Sequence, residues 1–179
     1  DSKLCQGIRQ RSYPVVEKSG ILWAYLGEGE PPAFPEIDCF VAPDSHTFAF
    51  KGHMNCNWLQ ALEGGIDSSH VSWLHSGELK SDPLHVSRGA TFQQDRTPKF
   101  EVVESAGGLL IGVRRNADQG RYYWRVTQYI MPWYTMIPPY GENALNGHAW
   151  VPIDDDNVIV WSFTYHAGRP LSEHELATM

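Results

Sequence analysis

Apolar and polar residues alternate through most of this chain, and one stretch breaks the pattern. Val15 and Val16 on one side and Ile21, Leu22 and Trp23 on the other flank Lys18-Ser19-Gly20. Two apolar arms around a turn triplet predict a hairpin over residues 9–27. Pro31, Pro32 and Pro35 then crowd residues 28–38. Proline fixes φ and removes a donor, so this stretch is predicted to be a linker and a domain boundary. Residues 47–51 alternate as a short strand. Residues 100–105 and 109–115, joined by Ala106-Gly107-Gly108, predict a second hairpin. Residues 121–131, 148–151 and 158–165 predict three further strands. Asp154-Asp155-Asp156-Asn157 precedes the last of them and reads as a turn, because Asp and Asn bond the local backbone. The exception is the apolar segment over residues 55–73, predicted to be a helix. Residues 76–97 are polar and mixed, and are expected to form a mobile loop over the site. One helix within a run of antiparallel strands is an α+β layout.

Composition narrows the picture modestly. At 179 residues the chain is long enough to bury a core and is expected to form one main domain. A formal net charge of −7 argues against a nucleic-acid or anionic-membrane partner. Cys5, Cys39 and Cys56 form no regular framework, which points to buried thiols, a reducing compartment and a cytoplasmic location.

The candidate chemistry lies in Asn57-Trp58-Leu59-Gln60-Ala61-Leu62-Glu63-Gly64-Gly65-Ile66-Asp67-Ser68-Ser69-His70-Val71-Ser72-Trp73-Leu74-His75. Neutral histidine offers a nitrogen donor, so His70 and His75 together suit a transition metal. Asp67, three residues before His70, is placed to accept the proton on the ring nitrogen turned away from the metal. Residues five apart on a regular helix point about 140° away from each other. Both imidazoles reach one ion only across a π-type bulge or a helix end. Gly64 and Gly65, poor helix formers, suggest a loosened backbone just upstream. The expectation is therefore Asp67 and His70 on a distorted helix, with His75 at or beyond its end.

The pattern Asp67-x-x-His70-x-x-x-x-His75, preceded by Asn57-Trp58 and Glu63-Gly64-Gly65-Ile66, resembles the iron-binding signature of Rieske-type non-heme iron oxygenases. Within them it is most similar to the large-subunit catalytic domains grouped with phthalate 4,5-dioxygenase. The hairpin over residues 13–27 resembles the closing hairpin of that family's Rieske domain. Tyr122-Tyr123-Trp124-Arg125 and Gly147-His148-Ala149-Trp150-Val151-Pro152-Ile153-Asp154-Asp155 resemble strands of its catalytic domain. The resemblance implies a helix-grip (START-like) fold, a curved antiparallel sheet around a long helix. It also implies domains at 1–27 (Rieske-like tail), 28–45 (linker) and 46–179 (truncated catalytic domain).

What the resemblance implies about function is an oxygenase component acting with O2 on an aromatic substrate, an aromatic acid at the level of the family, at a mononuclear Fe(II). Electrons would come from NAD(P)H through a reductase and a [2Fe-2S] cluster. His70 and His75 would be iron ligands and Asp67 the electron bridge to a neighbouring subunit of a homotrimer or stacked trimers. Asn57 and Glu63 would support the metal surroundings, although Asn57 equally suits a helix start. A Rieske cluster takes two cysteines and two histidines, and no cysteine here has a histidine two or three residues later. The cluster is therefore expected outside this stretch, and the resemblance implies that the third iron ligand, an aspartate in a C-terminal helical region, lies beyond it as well. The chain opens at Asp1 and closes on a Ser172/Glu175 capping-box pattern, so it is expected to be a piece of a larger subunit and inactive alone.

Other candidates carry plainer readings. Arg125 alternates with Tyr123, Thr127 and Tyr129; on a cavity face it would pair with a substrate carboxylate, and on the other face it would meet solvent. Trp58, Trp73 and Trp133 suit core packing, or else an aromatic pocket wall. His46, His53, His85, His148, His166 and His174 lack partners at ligand spacing and are read as surface or packing residues, with His148, on a strand between Gly147 and Trp150, alternatively pointing into the cavity. Rival functions are a monooxygenase or O-demethylase of the same family, a metal-free helix-grip ligand carrier, and a zinc-dependent hydrolase.

Overall fold

The computed structural model describes residues 3, 7–75, 95–139, 142–177 and 179. The first hairpin forms from β1 (Val15–Lys18) and β2 (Ile21–Ala24), an antiparallel pair. Its turn has Ser19 at φ 53° and Gly20 at φ 71°, the two positive values that match the twist of a tight two-residue hairpin. The proline-rich stretch stays irregular and leads into a short helix, α1 (Asp38–Val41).

Seven strands then make one antiparallel sheet. They are β3 (Thr47–Met54), β4 (Lys99–Ser105), β5 (Gly108–Asn116), β6 (Tyr122–Ile130), β7 (Tyr134–Ile137), β8 (Leu145–Pro152) and β9 (Val158–Tyr165). Their order is β3-β9-β8-β7-β6-β5-β4, so β4 to β9 run as a meander and β3 closes against the last strand. Strand β7 was not foreseen: four residues wedged between Trp133 and Pro138 are too few to show an alternating pattern. The connection from β3 to β4 crosses from one edge of the sheet to the other and carries α2 (Trp58–Ile66). The predicted mobile loop falls mostly on residues 76–94, outside the described residues. A last short helix, α3 (Glu173–Ala177), opens as its pattern predicts. Ser172 Oγ accepts from the Glu175 N–H, and Glu175 Oε2 accepts from the Ser172 N–H. Among the described residues no helix is long and apolar enough to cross a membrane.

The strict alternation of the strands divides the apolar residues between the two faces of the sheet. On one face Leu62 of α2 packs with Trp150, Val158 and Val160. On the other, Tyr134, Ala149, Phe163 and Tyr165 meet Ile21, Cys39 and Phe40, with Trp23 and Trp133 beside them. The N-terminal hairpin and α1 thus share a core with the sheet. Burial raises the Cys39 thiol to a pKa of about 11, as expected of an inert packing cysteine.

Helix α2 departs from expectation. It spans nine residues rather than the whole of 55–73, and it runs unbroken through Gly64 and Gly65. These glycines do not loosen the backbone; Gly65 lets the helix lie close to the sheet. A Cβ at Gly65 would stand 2.6 Å from Trp150 Cζ2, whereas one at Gly64 would meet nothing within 4 Å. Trp150 cannot swing aside easily, because its Nε1–H donates to Thr135 Oγ1 at 2.9 Å in the buried interior. Overpacking costs about 1–3 kcal/mol, and alanine's better helix propensity returns about 1 kcal/mol. Gly65→Ala is therefore expected to lower the melting temperature by several degrees, and Gly64→Ala to raise it slightly. Thermal unfolding of the two variants side by side checks this; equal shifts would contradict the close approach.

Candidate metal centre

The site is built where α2 ends. Asn57 caps its start, accepting from the Leu59 N–H at 2.9 Å and donating to the Asp155 carbonyl in the Asp154–Asn157 turn. That turn is closed by Asp154, whose Oδ1 accepts from the Asp156 N–H and from Asn157; its acidic run is occupied by turn geometry. Asn57 therefore sits at the end of α2 remote from the histidines. At the other end Asp67 is the C-cap, its N–H donating to the Glu63 carbonyl. Glu63 is exposed and borders the cavity described below.

Neither Asp67 nor His70 lies on the α-helix. His70 opens a separate 3₁₀ turn, His70–Ser72, and His75 follows beyond it. The helix end, not a π-bulge, resolves the spacing of five. Outside α2 the backbone is free to turn, and the two rings come together with centroids 5.2 Å apart and planes at 72°. Two imidazoles on neighbouring positions of one ion, each nitrogen about 2.1 Å from it and each ring centre ~1 Å further out, place their centroids about 4.5–5.5 Å apart. The observed pair fits that geometry.

The second nitrogen of His70 is already committed. Its Nδ1–H donates to the Asp67 backbone carbonyl, which leaves Nε2 as the basic nitrogen and fixes the tautomer. The expected acceptor was the Asp67 carboxylate. Oδ2 instead stands 4.0 Å from Nδ1, and Oδ1 accepts from the Ser69 N–H at 2.7 Å and the Ser69 hydroxyl at 2.5 Å. Burial works to raise the pKa of this carboxyl, but the Ser69 hydrogen bonds and the neighbouring imidazole hold it below its ordinary value. Two imidazoles, if completed by a carboxylate with positions left open, would suit non-heme iron(II). Among the described residues no group of three or more His, Cys, Asp or Glu gathers at one point.

His70 and Asp67 border a cavity of about 750 Å³ between α2 and the sheet. Its sheet wall includes Arg125, Thr127, His148 and Trp150. Arg125 is buried rather than solvent-facing, with Nη2 donating to the Pro138 carbonyl at 2.5 Å. His148 belongs to this wall and not to the surface. Burial lowers its pKa, and among the described residues its Nδ1 has no hydrogen-bond partner. The signal for His148 was its phase: it shares a face with Trp150 on β8. His46, His53 and His166 make hydrogen bonds elsewhere, to the His166 carbonyl, Asn157 and the Glu142 carbonyl respectively. His85 lies outside the described residues. Trp58 and Trp133 pack against the two cores, whereas Trp73 is exposed. Sequence reasoning also passed over Arg115, which is wholly buried on β5. It falls in phase with Ile111 and Val113, an arginine on an apolar face.

The chain is similar to known proteins along nearly its whole length. The sequence model described as "LigXa C-terminal domain like" matches residues 24–175. The 3-chlorobenzoate-3,4-dioxygenase oxygenase subunit of Comamonas testosteroni is 30% identical over 165 residues, 90% of this chain and 38% of the relative. The phthalate 4,5-dioxygenase oxygenase subunit of Pseudomonas putida is 30% identical over 191 residues, 99% of this chain and 42% of the relative. This chain thus spans about two-fifths of the length of these relatives. Among solved structures, dicamba monooxygenase bound to 3,6-dichlorosalicylic acid superposes with a TM-score of 0.63 at 17% identity, covering 94% of this chain and 54% of that one. The antiparallel sheet crossed on one face by α2 is therefore the Rieske oxygenase catalytic-domain fold. On this match the chain belongs to the LigXa C-terminal-domain-like family, whose relatives are oxygenase subunits of Rieske oxygenases.

Proposed function

We propose that this chain is the catalytic-domain part of a multicomponent oxygenase that dihydroxylates an aromatic carboxylate with O2. The observation that carries the reading is the convergence of the His70 and His75 rings, 5.2 Å apart, beside a cavity walled by Arg125. When bound there, a mononuclear iron supplies oxygen activation, with electrons from NAD(P)H arriving through a reductase and a [2Fe-2S] cluster. His70 and His75 hold the ion, and the Asp67 carbonyl keeps His70 in the tautomer that presents Nε2. Asp67's side chain, 42% exposed beside His70, is the proposed link to a cluster histidine of a neighbouring subunit in a trimer or stacked trimers.

Arg125 places a guanidinium at the cavity wall, where it binds the substrate carboxylate and orients the ring toward the histidines. Trp150 and Ile137 supply apolar wall. The two relatives named for 3-chlorobenzoate and phthalate, both aromatic carboxylates, support this substrate class and favour dioxygenation.

The test uses the protein carrying this chain at full length, loaded with Fe(II) and supplied with a reductase, NADH and benzoate-class acids. Expected are substrate-dependent O2 uptake and, under ¹⁸O2, a product holding both labelled atoms; a single label assigns monooxygenation instead. Zinc in place of iron is expected to abolish uptake, which separates the oxygenase from a zinc hydrolase. Arg125→Met is expected to raise KM for the acids by roughly tenfold to a hundredfold, the scale of one charged hydrogen bond, with a smaller change for an uncharged analogue. Equal changes for both would remove Arg125 from carboxylate recognition. A protein that binds no iron, yet binds apolar ligands, would be the metal-free carrier.

A further inference from the structure

The turn carrying His70 has left the helix, so its backbone groups need partners from elsewhere. Within the turn, Ser72 N–H donates to the Ser69 carbonyl, and Trp73 and Leu74 donate to that of His70. The Ser68 carbonyl is held from the sheet instead. Arg115 of β5 donates from Nη2 to that carbonyl at 2.6 Å and to the Ser72 hydroxyl at 3.2 Å. Ser68 and Ser72 stand two residues before and two residues after His70. Ser72 and Arg115 are both fully buried. Strand β5 is paired on both sides, by β4 and β6, so it gives the turn a fixed base.

We propose that Arg115 is a positioning residue for the metal centre: it clamps both flanks of the His70 turn to β5 and so sets where that imidazole stands relative to His75. The inference rests on reading His70 and His75 as an iron site. A charged donor makes a shorter, stronger hydrogen bond to a carbonyl than a neutral one. The planar guanidinium also fixes the directions of its donors, which an ammonium on a flexible stem does not. Arginine in this buried place costs desolvation that an apolar side chain would avoid. Packing alone therefore gives no reason for it, whereas holding two points of an irregular turn does.

The experiment compares wild type, Arg115→Lys, Arg115→Gln and Ser72→Ala in the full-length protein. It reads the Fe(II) dissociation constant, the visible spectrum of the Co(II)-substituted site and the metal-free melting temperature. Arg115→Lys and Arg115→Gln are expected to weaken Fe(II) by about tenfold or more, the usual effect of losing a group that orients a ligand, and to shift the Co(II) bands. Ser72→Ala leaves Arg115 on the Ser68 carbonyl and is expected to produce a smaller shift in the same direction. A merely structural arginine would move the melting temperature and leave the Co(II) spectrum as it is. Unchanged affinity and spectrum in the folded arginine variants overturn the proposal. If those variants do not fold, the same two readings on Ser72→Ala decide it. A wild type that binds neither metal would sink the iron reading itself, which is a different failure.

Discussion

Replacing His70 with alanine is expected to strip iron from the full-length protein and end O2-dependent turnover while leaving the fold intact. The two halves of that expectation have separate causes. His70 is partly exposed, on a turn rather than in either core, so its truncation opens little buried space. Surface substitutions of this kind stay within about 0.5 kcal/mol, and the melting temperature should hold within about 2 °C. The Arg115 contacts to Ser68 and Ser72 do not involve the imidazole, so the turn keeps its anchors. On the proposed reading the metal, by contrast, would lose one of the two nitrogen donors, His70 and His75. That loss should exceed the 10–100-fold that follows removal of an outer partner. His75→Ala should behave alike, because neither imidazole can replace the other from its own side of the ion. Metal content by mass spectrometry, read beside thermal unfolding, checks the pair. Full iron content in both variants would place the metal elsewhere and leave the convergence of the rings without function.

Much of the fold was legible because the sheet repeats a short-range signal. The limits of β9 were read to the residue, since Val158–Tyr165 is, apart from Ser162, a run of β-branched and aromatic residues following the Asp154–Asn157 turn. The first hairpin announced itself through Ser19-Gly20, residues suited to positive φ. What failed were features fixed by partners distant in sequence. The role of Gly65 depends on Trp150, some eighty-five positions later, and no local rule couples them. The helix was drawn too long because Ser68 to Trp73 has acceptable helical composition. Its end is set by Ser69 and His70, which bond the Asp67 side chain and carbonyl and so compete with helical pairing.

The site divides along the same line. His70 and His75 were visible as residue types at a spacing, and their meeting required only that the helix stop. Arg125 was left open between two faces because a strand's alternation gives two sets and not which one is inward. The structure turns it inward. Asn57 was likewise open, between supporting the metal and starting the helix; it stands as the N-cap at the far end of α2, bonded to the Asp154–Asn157 turn.

Asp67→Asn is expected to leave iron bound and the protein folded, yet to lower reductase-coupled turnover by about a hundredfold, the upper end for outer-partner changes. Asp67 acts through three groups, and the amide keeps two of them. The backbone carbonyl still accepts from His70 Nδ1. The side-chain oxygen still accepts from the Ser69 N–H and hydroxyl. Only the negative charge and Oδ2, which stands 4.0 Å from His70 Nδ1, are lost. The stability effect should be small. The carboxyl's pKa is depressed in the folded chain, so its contribution is present above the ordinary carboxylate value and lost as pH falls through the depressed one. For a side chain 42% exposed the contribution is below about 1 kcal/mol at neutral pH. The charge matters far more if electrons enter beside it, because an amide offers no anionic link between a neighbouring subunit's histidine and His70. Stopped-flow oxidation of the pre-reduced cluster separates the possibilities. Slowed oxidation with full iron content supports the bridge. Wild-type turnover removes it, and loss of iron together with activity would make Asp67 a support of the site rather than a path for electrons.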